Sequence, residues 1–585
     1  MNQTLDSRFN GSLHAEVSSL FNTISYELRP KFNEIVTEIS TPLKKNFDWW
    51  VQGPGSRNTF ASPFFHYYCF LHLIQKLIER NEFPFNCILV DSLEFKRLVE
   101  LILRDLGVDG CRVQYDKPPI TRLIKNRLKI PFLFCKKILQ QILVKMSGKS
   151  DLQALKEKPL VVIDTFMIAG YTQNDRWYGL LWENLTNEVK EETYFIPTIV
   201  LTPISKMRQT YRELRNNARN FIIKEDFLTL SDIIYASQYQ KRVKKIKIKS
   251  IHVLGYDLSK LVEEELYHGR DSFTIMEAIL TYRFVQRLKD NGVQVRLAID
   301  WFEGQVVDKA WNYAFNQLYP ETKTIGYRAF ESYPFYLCSY PIPIEGQSDL
   351  LPDVMAVQGR GTITTVREFF PNLEVMVIPS FKSQHVWECD FEQRRKGLGN
   401  VLVTLPISLK TSKRVLEQLL EASKLVDCGG KKIVYTIKSH PTNEPDQIKK
   451  NMGVELLDSF VFTSEKALPP LLHRSELLIS EASSTCLEAL ACGIPVIVVE
   501  NQEGLTLDPI PRSIPNEMVR KTRSVAQLVE AIEHYVHADI EKQKQKQKQF
   551  QLLGQEIRSD YFEPLSKEGI DRFFDIDNKD SKLHA

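Results

Sequence analysis

Three polar clusters in this sequence follow apolar runs, and each carries residue types that can move a proton or hold an anion. The run "IVYTIKSHPTNEP" places Lys438, His440 and Pro441 after a strand pattern. A histidine at a strand end can donate a proton, or a positive charge, to a departing phosphate. The run "ELLISEASSTCLEALACGIPVIVVEN" crowds Ser483, Ser484 and Thr485 between two apolar segments. A helix starting there would present free N–H groups and the positive end of its dipole to a phosphate, and small hydroxyl residues would let it approach. Glu488 would lie one turn in, within reach of a ribose hydroxyl. The same spacing also fits a capping box, Thr485 with Glu488 three residues on, closed by Gly493 and Pro495. The run "LAIDWFEGQVVDKAW" puts Asp300, Glu303 and Asp308 around a third strand end. A carboxylate there can deprotonate a hydroxyl or attack as a nucleophile. Alternatively, one caps the following helix and another pairs with Lys309 or Arg328. Asp164, Asp175 and Arg176 follow "LVVID" and fit either a cleft wall or an internal Asp–Arg pair.

Holding such clusters requires strand–helix units, and the chain is built of them. At 585 residues it exceeds one ordinary core. Its 43% hydrophobic and 25% charged residues are those of a globular protein, and a net charge of +3 argues against a dedicated nucleic-acid binder. Strand patterns recur at 85–92, 159–167, "ETYFIPTIV", "KIKSIHVLG" and 293–304, separated by helical patterns. The Pro-, Ser- and Gly-rich run "SYPIPIEGQSDLLPD" is read as a domain boundary. A second series follows: "LEVMVIPS", "GNVLVTLPIS", "KKIVYTIKSHP", "SELLISEASS" and "IPVIVVEN". The expected fold is α/β, with two Rossmann-like doubly wound domains facing a cleft and ligands outside the carboxyl ends of their strands. The expected divisions are a helical segment over 1–55, a first domain over 56–345 with a basic insertion near 115–150, a second domain over 350–525, and a helical tail over 526–585.

The nine cysteines are odd in number, scattered and without a CxxC, which predicts reduced thiols and no zinc site. No Asp-x-Asp follows any of these strands, so a metal-clamped diphosphate is not expected. The N-terminal "MNQTLDSRFNGSLHAEV" lacks the apolar core of a signal peptide, and no apolar run approaches the roughly 18 residues of a spanning helix. A cytoplasmic protein is the expectation. From Lys117 to Lys149 the chain carries nine Lys or Arg and no Asp or Glu, interleaved with apolar residues. That pattern suits an anionic membrane surface, or an insertion with one solvated face, with Pro118, Pro119 and Pro131 expected to break it into pieces. Without an aromatic platform or reading motif, nucleic acid is not a predicted partner. The "EKQKQKQKQ" run near the C-terminus predicts a solvated helix.

"SEASSTCLEALACGIPVIVVEN" resembles the donor-binding unit of GT-B glycosyltransferases, although Glu481 and Glu488 have six residues between them, one fewer than in many retaining members. The His-Pro pair resembles that of bacterial sialyltransferases, Kdo transferases and capsule polysaccharide enzymes. With "SRNTFASPFF", "DTFMIAGYTQNDRWYGLLWENL" and "TIGY", residues 45–510 resemble bacterial surface carbohydrate (O-antigen or capsule) biosynthesis proteins. The resemblance implies a GT-B glycosyltransferase moving a 3-deoxy-2-keto acid, of the Kdo or nonulosonic (sialic) kind, from a CMP donor. The acceptor would be a lipid-linked lipopolysaccharide O-antigen or capsule glycan at the inner face of the cytoplasmic membrane. Residues 350–525 would bind the nucleotide sugar and 56–345 the acceptor. Ser483, Ser484 and Thr485 would hold the phosphate, His440 and Lys438 would assist its departure, and Glu488 would meet the ribose. Glu303, or else Asp300, would act on the acceptor hydroxyl. Neither a metal nor a further cofactor is implied. Rival readings are a UDP- or GDP-sugar transferase, a CDP-polyol transferase, a sugar-nucleotide epimerase, and an inert GT-B module that binds glycan or scaffolds an assembly.

Overall fold

The computed structural model describes residues 4–9, 11–148, 150–173, 175–268, 271–389, 399–453, 457–465, 467–536 and 540–575. Near the N-terminus, β1 (Thr4–Asp6), β2 (Cys87–Val90) and β3 (Arg112–Tyr115) form a small parallel sheet in that order. Around it lie α1 (Ala15–Ser40), α2 (Phe64–Glu79) and α3 (Leu93–Asp105). The first 55 residues are therefore not helical throughout. The 85–92 strand, expected in the first large sheet, pairs instead with β1 and β3, with Leu5 opposite Ile88 and Ile88 opposite Val113.

The basic stretch forms one helix, α4 (Ile120–Lys145), that runs through Pro131. The expected break does not occur. Proline removes one donor from the helix ladder, and the half beyond it is anchored: Leu133 and Val144 are buried, and Lys137 pairs with Glu277 at 2.6 Å.

The first large sheet holds β4 (Leu160–Met167), β5 (Thr193–Ile199), β8 (Val295–Trp301), β9 (Lys323–Arg328), β10 (Val354–Val357) and β11 (Val375–Val377). Its order is β11-β10-β9-β8-β4-β5, all parallel. The "KIKSIHVLG" run yields only a two-residue strand, β6 (His252–Val253), paired antiparallel with β7 (Tyr256–Asp257). Helices α5 (Ser259–His268), α6 (Ser272–Asp290) and α7 (Val306–Leu318) lie between these strands in sequence.

Because β10 and β11 belong to this sheet, the boundary expected near 345–350 falls inside the first domain. The proline-rich run is a β9–β10 connection, not a linker. It is fixed from within by Glu345, which pairs with Arg57 at 2.8 Å and Lys309 at 2.7 Å, all three side chains at most 1% exposed. Burial alone would raise the Glu345 carboxyl, but Arg57 and Lys309 hold it below its ordinary value.

The second sheet holds β12 (Asn400–Thr404), β13 (Val434–Lys438), β14 (Phe460–Phe462), β15 (Leu477–Ser480), β16 (Val496–Val499) and β17 (Val519–Thr522). Its order is β14-β13-β12-β15-β16-β17, again all parallel. Central strands such as "LLIS" and "VIVV" are wholly buried, which is why they read as continuous apolar runs rather than alternating ones. Between them sit α8 (Leu409–Ser423) and the short α9 (Thr485–Ala491).

The tail ties the domains together. Helix α10 (Ile540–Tyr561) crosses α9 so closely that a side chain at Gly554 would lie 2.6 Å from the Gly493 nitrogen. Helix α11 (Lys567–Phe573) then docks on the first domain, where Phe573 and Phe574 join Ile163 and Ile299 in one core. Both large sheets are thus the doubly wound α/β layers expected, and the chain passes from the first to the second and back.

Cys389 and Cys492 form a disulfide with Cα atoms 5.9 Å apart. This corrects the expectation of reduced thiols throughout. The partners stand 103 residues apart in sequence, so no local spacing announces the pair.

Candidate functional site

In an open parallel sheet the ligand crevice lies where strand order reverses, outside the carboxyl ends. In the second domain that point is between β12 and β15, since β13 and β14 extend one way and β16 and β17 the other. Three loops meet there: 405–408, 439–443 and 481–484. Ser480 Oγ–H donates to the Thr404 carbonyl (3.2 Å), and Asn443 Nδ2–H donates to the Ile407 carbonyl (2.9 Å), so the loops brace one another.

His440 follows β13 by two residues. Its Nδ1 lies 2.7 Å from Thr442 Oγ1 and accepts from the Thr442 N–H at 3.3 Å. In the neutral ring the proton therefore sits on Nε2, which remains available as a donor. Burial, and then the Arg176 guanidinium of the first domain, push the imidazole below its ordinary value. Lys438 is turned elsewhere: its Nζ donates to the Glu465 carbonyl at 3.1 Å, and burial lowers its pKa.

The expected capping box between Thr485 and Glu488 does not form. Ser484 occupies the N-cap position without a side-chain cap bond and is exposed. Ser483 Oγ accepts from the Thr485 N–H at 3.3 Å. Glu488 Oε2 instead lies 3.0 Å from His385 Nε2, in the segment joining the domains. Glu481 is 2% exposed and pairs with Arg414 of α8, so it is structural.

In the first domain the order reverses between β4 and β8. Glu303, just past β8, is half-buried and held by two donors: Trp301 Nε1–H to Oε1 (2.8 Å) and Gln305 Nε2–H to Oε2 (2.5 Å). Gly304 turns the chain with φ +74°, and a side chain there would run into the Cys338 carbonyl, so only glycine fits. Asp308 receives the N–H groups of Glu303 (2.8 Å) and Gln305 (3.0 Å) and thereby fixes this turn.

Asp300 corrects an expectation. It is 0% exposed beneath α7, accepts from Asn312 at 3.1 Å, and has no surface on the cleft. Strand period explains this. Asp300 and Asp164 stand one residue past the paired Ile299 and Ile163, on adjacent strands deep in the sheet. Burial, and then Asp308 and Asp164, push the Asp300 carboxyl well up, and burial raises Asp164 to about 7. In both groups burial favours the protonated form. Asp175 is taken by Arg219 at 2.6 Å, so the internal Asp–Arg pair is real but excludes Arg176.

Arg176 and Trp177 lie on the first-domain side, each related to one crevice. Arg176 lies within electrostatic reach of His440. Its neighbour Trp177 meets Trp301 edge-on, centroids 5.0 Å apart, and the Trp301 indole holds Glu303. Side-chain contacts thus run from Trp177 through Trp301 to Glu303, and Arg176, next to Trp177 in sequence, acts on His440 through its charge. Neither tryptophan stands out in the sequence, because each is flanked by charged residues that draw the chemical reading to themselves.

At the serine turn the two domains approach each other closely. Ser484, Leu487 and Glu488 oppose Phe330, Glu331 and Gln358 across a gap of about 10 Å³. Among the described residues, no group of three or more His, Cys, Asp or Glu is placed to hold a metal ion. The chain's Asp-x-Asp, at 575–577, lies in the tail, where Asp575 pairs with Lys323 at 2.7 Å.

The class these features define is an α/β protein of two Rossmann-like domains, each with a crevice at the carboxyl ends of its strands. No protein-family profile matches the chain, and no curated protein matches it in sequence. Among solved structures, MurG from Acinetobacter baumannii is similar at 12% identity, covering 72% of this chain and 99% of its own, with a TM-score of 0.37. The alpha,alpha-trehalose 6-phosphate synthase from Burkholderia multivorans is similar at 10% identity, covering 73% and 97%, with a TM-score of 0.39. The UDP-GlcNAc 2-epimerase from Neisseria meningitidis, bound to UDP-GlcNAc, is similar at 12% identity, covering 68% and 94%, with a TM-score of 0.37. The two-domain architecture stands on the strand orders given above.

Proposed function

We propose that the protein is a glycosyltransferase that takes a nucleotide-activated sugar in the second-domain crevice and passes it to a hydroxyl held near Glu303. The observation that carries this reading is that His440 and Glu303 each lie just past a strand at the carboxyl-end side of its sheet, Glu303 at the switch point itself, with Glu303 held by Trp301 and Trp301 packed on Trp177, the neighbour of the arginine whose charge acts on His440. A neutral histidine with its Nε2–H free to donate, beside a guanidinium, suits a phosphate leaving group. A carboxylate oriented by two donors suits proton removal from an attacking hydroxyl.

For the donor we favour a CMP-linked 3-deoxy-2-keto acid, on the His-Pro and Ser-Ser-Thr resemblance. Ser483, Ser484 and Thr485 would receive the phosphate, and Glu488 would exchange His385 for the ribose. Opening of the narrow gap at Ser484 would admit the donor, and closure would exclude water. Lys438 would support the His440 loop rather than touch the phosphate.

A lipid-borne acceptor fits α4. Ile120, Ile124, Leu128 and Phe132 repeat every four residues and are 51–74% exposed, flanked by Lys125, Arg127 and Lys129. Such a face suits an anionic bilayer surface. Among the described residues no helix is long and apolar enough to cross a membrane.

The test is release of CMP from CMP-Kdo and from a CMP-nonulosonate in the presence of lipid-linked glycan. Turnover lost in Glu303→Gln and His440→Ala supports the proposal. Turnover with UDP- or GDP-sugars alone overturns the donor assignment, and none with any donor favours an inert module.

A further inference from the structure

A second cavity, of about 740 Å³, opens at the carboxyl ends of the small sheet. All three strands lead into it: β1 through Arg8, β2 through Asp91 and Ser92, and β3 through Asp116 and Lys117. Outside the carboxyl ends of parallel strands is where α/β sheets take ligands. This sheet is separate from both six-stranded sheets, although Ile88 and Val113 share a core with Val162 and Ala298 of the first.

Its chemistry disfavours an anion, although Arg8, Lys117 and His268 are among its lining residues. The N-terminus of α3, where a phosphate would dock, is already filled by the Glu264 carboxylate, which accepts from the N–H groups of Leu93 (3.0 Å) and Glu94 (3.3 Å). Glu265, Asp271, Asp91 and Asp116 also line the walls, against Arg8 and Lys117. Arg8 is spent on Asp6 (2.7 Å) and Asp116 (2.6 Å). The Tyr115 phenol registers the resulting field: burial, and then Glu264, Asp91 and Asp116, push it up.

The remaining wall is aromatic, with Phe9, Phe60 and Tyr115, behind which the Tyr67 ring is buried against Phe95. Ring faces beside carboxylates match a sugar, whose apolar face stacks while its hydroxyl or amino hydrogens are accepted. Two connections relate this cavity to the rest of the molecule. Lys117 to Pro119 form its lip and lead directly into the exposed half of α4. Phe60 stacks on Tyr336 with centroids 4.8 Å apart, and Tyr336 lies within the field of Glu303.

We propose that this cavity binds an uncharged or amino-bearing oligosaccharide, and that it is the subsite holding the acceptor glycan between the bilayer and Glu303. The second half of that statement rests on the transferase reading; glycan binding itself does not.

The experiment is isothermal titration of the full chain with three defined probes: chitotriose (neutral), the glucosamine trimer (cationic) and trigalacturonate (anionic). Chitotriose or the glucosamine trimer should bind, and trigalacturonate should not. Phe60→Ala, at a residue 48% exposed and therefore safe for folding, should weaken binding about tenfold, as should Tyr115→Ala. Tyr115→Phe should keep most of it, and His440→Ala all of it. Binding of no trimer, preference for the anionic one, or indifference to Phe60→Ala would overturn the cavity assignment. Parallel CMP titrations separate the two readings. Glycan binding without nucleotide binding sinks the transferase and keeps the cavity, and the converse sinks the cavity alone.

Discussion

Replacing Asp164 by asparagine should make the protein's stability less sensitive to pH, in a direction that the fold dictates. Asp164 is 1% exposed, both of its carboxyl oxygens lack a partner, and burial raises it to about 7 from an ordinary 3.8. A folded-state value above the unfolded one means that the folded chain holds the proton more tightly. Stability from this group is complete below the unfolded value and is lost as pH rises towards 7. About three pKa units at about 1.4 kcal/mol each make the full loss about 4 kcal/mol, of which about 3 falls between pH 5 and pH 8. Asparagine does not titrate. The stability of Asp164→Asn relative to wild type should therefore rise by about 3 kcal/mol from pH 5 to pH 8, measured by urea unfolding at both. Infrared difference spectra should also show the variant losing a protonated-carboxyl band at pH 5. A stability difference that is flat with pH, or no lost band, would refute the neutral-acid assignment.

Further outcomes follow from the packing. Glu345→Ala leaves Arg57 and Lys309 buried without their counter-charge and should cost about 3–5 kcal/mol in urea unfolding, whereas Glu476→Ala, at the side-chain pair with Lys431, should cost less. Cys492→Ala, which opens the 103-residue loop closed by the bond to Cys389, should lower stability by about 3–5 kcal/mol, and non-reducing peptide mapping of wild type should recover the linked peptides. Phe132→Glu, at a residue 60% exposed, should leave stability unchanged yet weaken sedimentation with anionic vesicles about tenfold, since a buried aromatic contributes about 1.5–3 kcal/mol.

The layered fold was legible because buried parallel strands write themselves as apolar runs, as in "LVVID" and "VIVVE". The His440 turn, the serine turn and the Glu303 turn were legible for the same reason, since each follows such a run. What stayed hidden depends on long-range pairing. Proline in "SYPIPIEG" marks an irregular connection equally well inside a domain and between domains, and only the addition of β10 and β11 to the first sheet decides. The β2 strand reads like any other buried strand, yet its partners come from residues 4–6 and 112–115. Asp300 and Glu303 look interchangeable in "AIDWFEG", but Asp300 stays within the strand's buried face and Glu303 lies past its end. The Trp177–Trp301 contact, the Glu488–His385 pair and the disulfide join residues with no common motif.

The central claim, a nucleotide held at His440 beneath the Ser-Ser-Thr turn, is tested most directly by calorimetric titration of the full chain with CMP, CDP, UDP and GDP. The account predicts that CMP binds and that His440→Ala weakens it by about 2 kcal/mol, roughly thirtyfold, through one lost hydrogen bond to a charged phosphate. Ser484→Ala should also weaken it, and Lys438→Ala should barely change it. Binding of no nucleotide, or CMP binding indifferent to His440→Ala, would contradict the account.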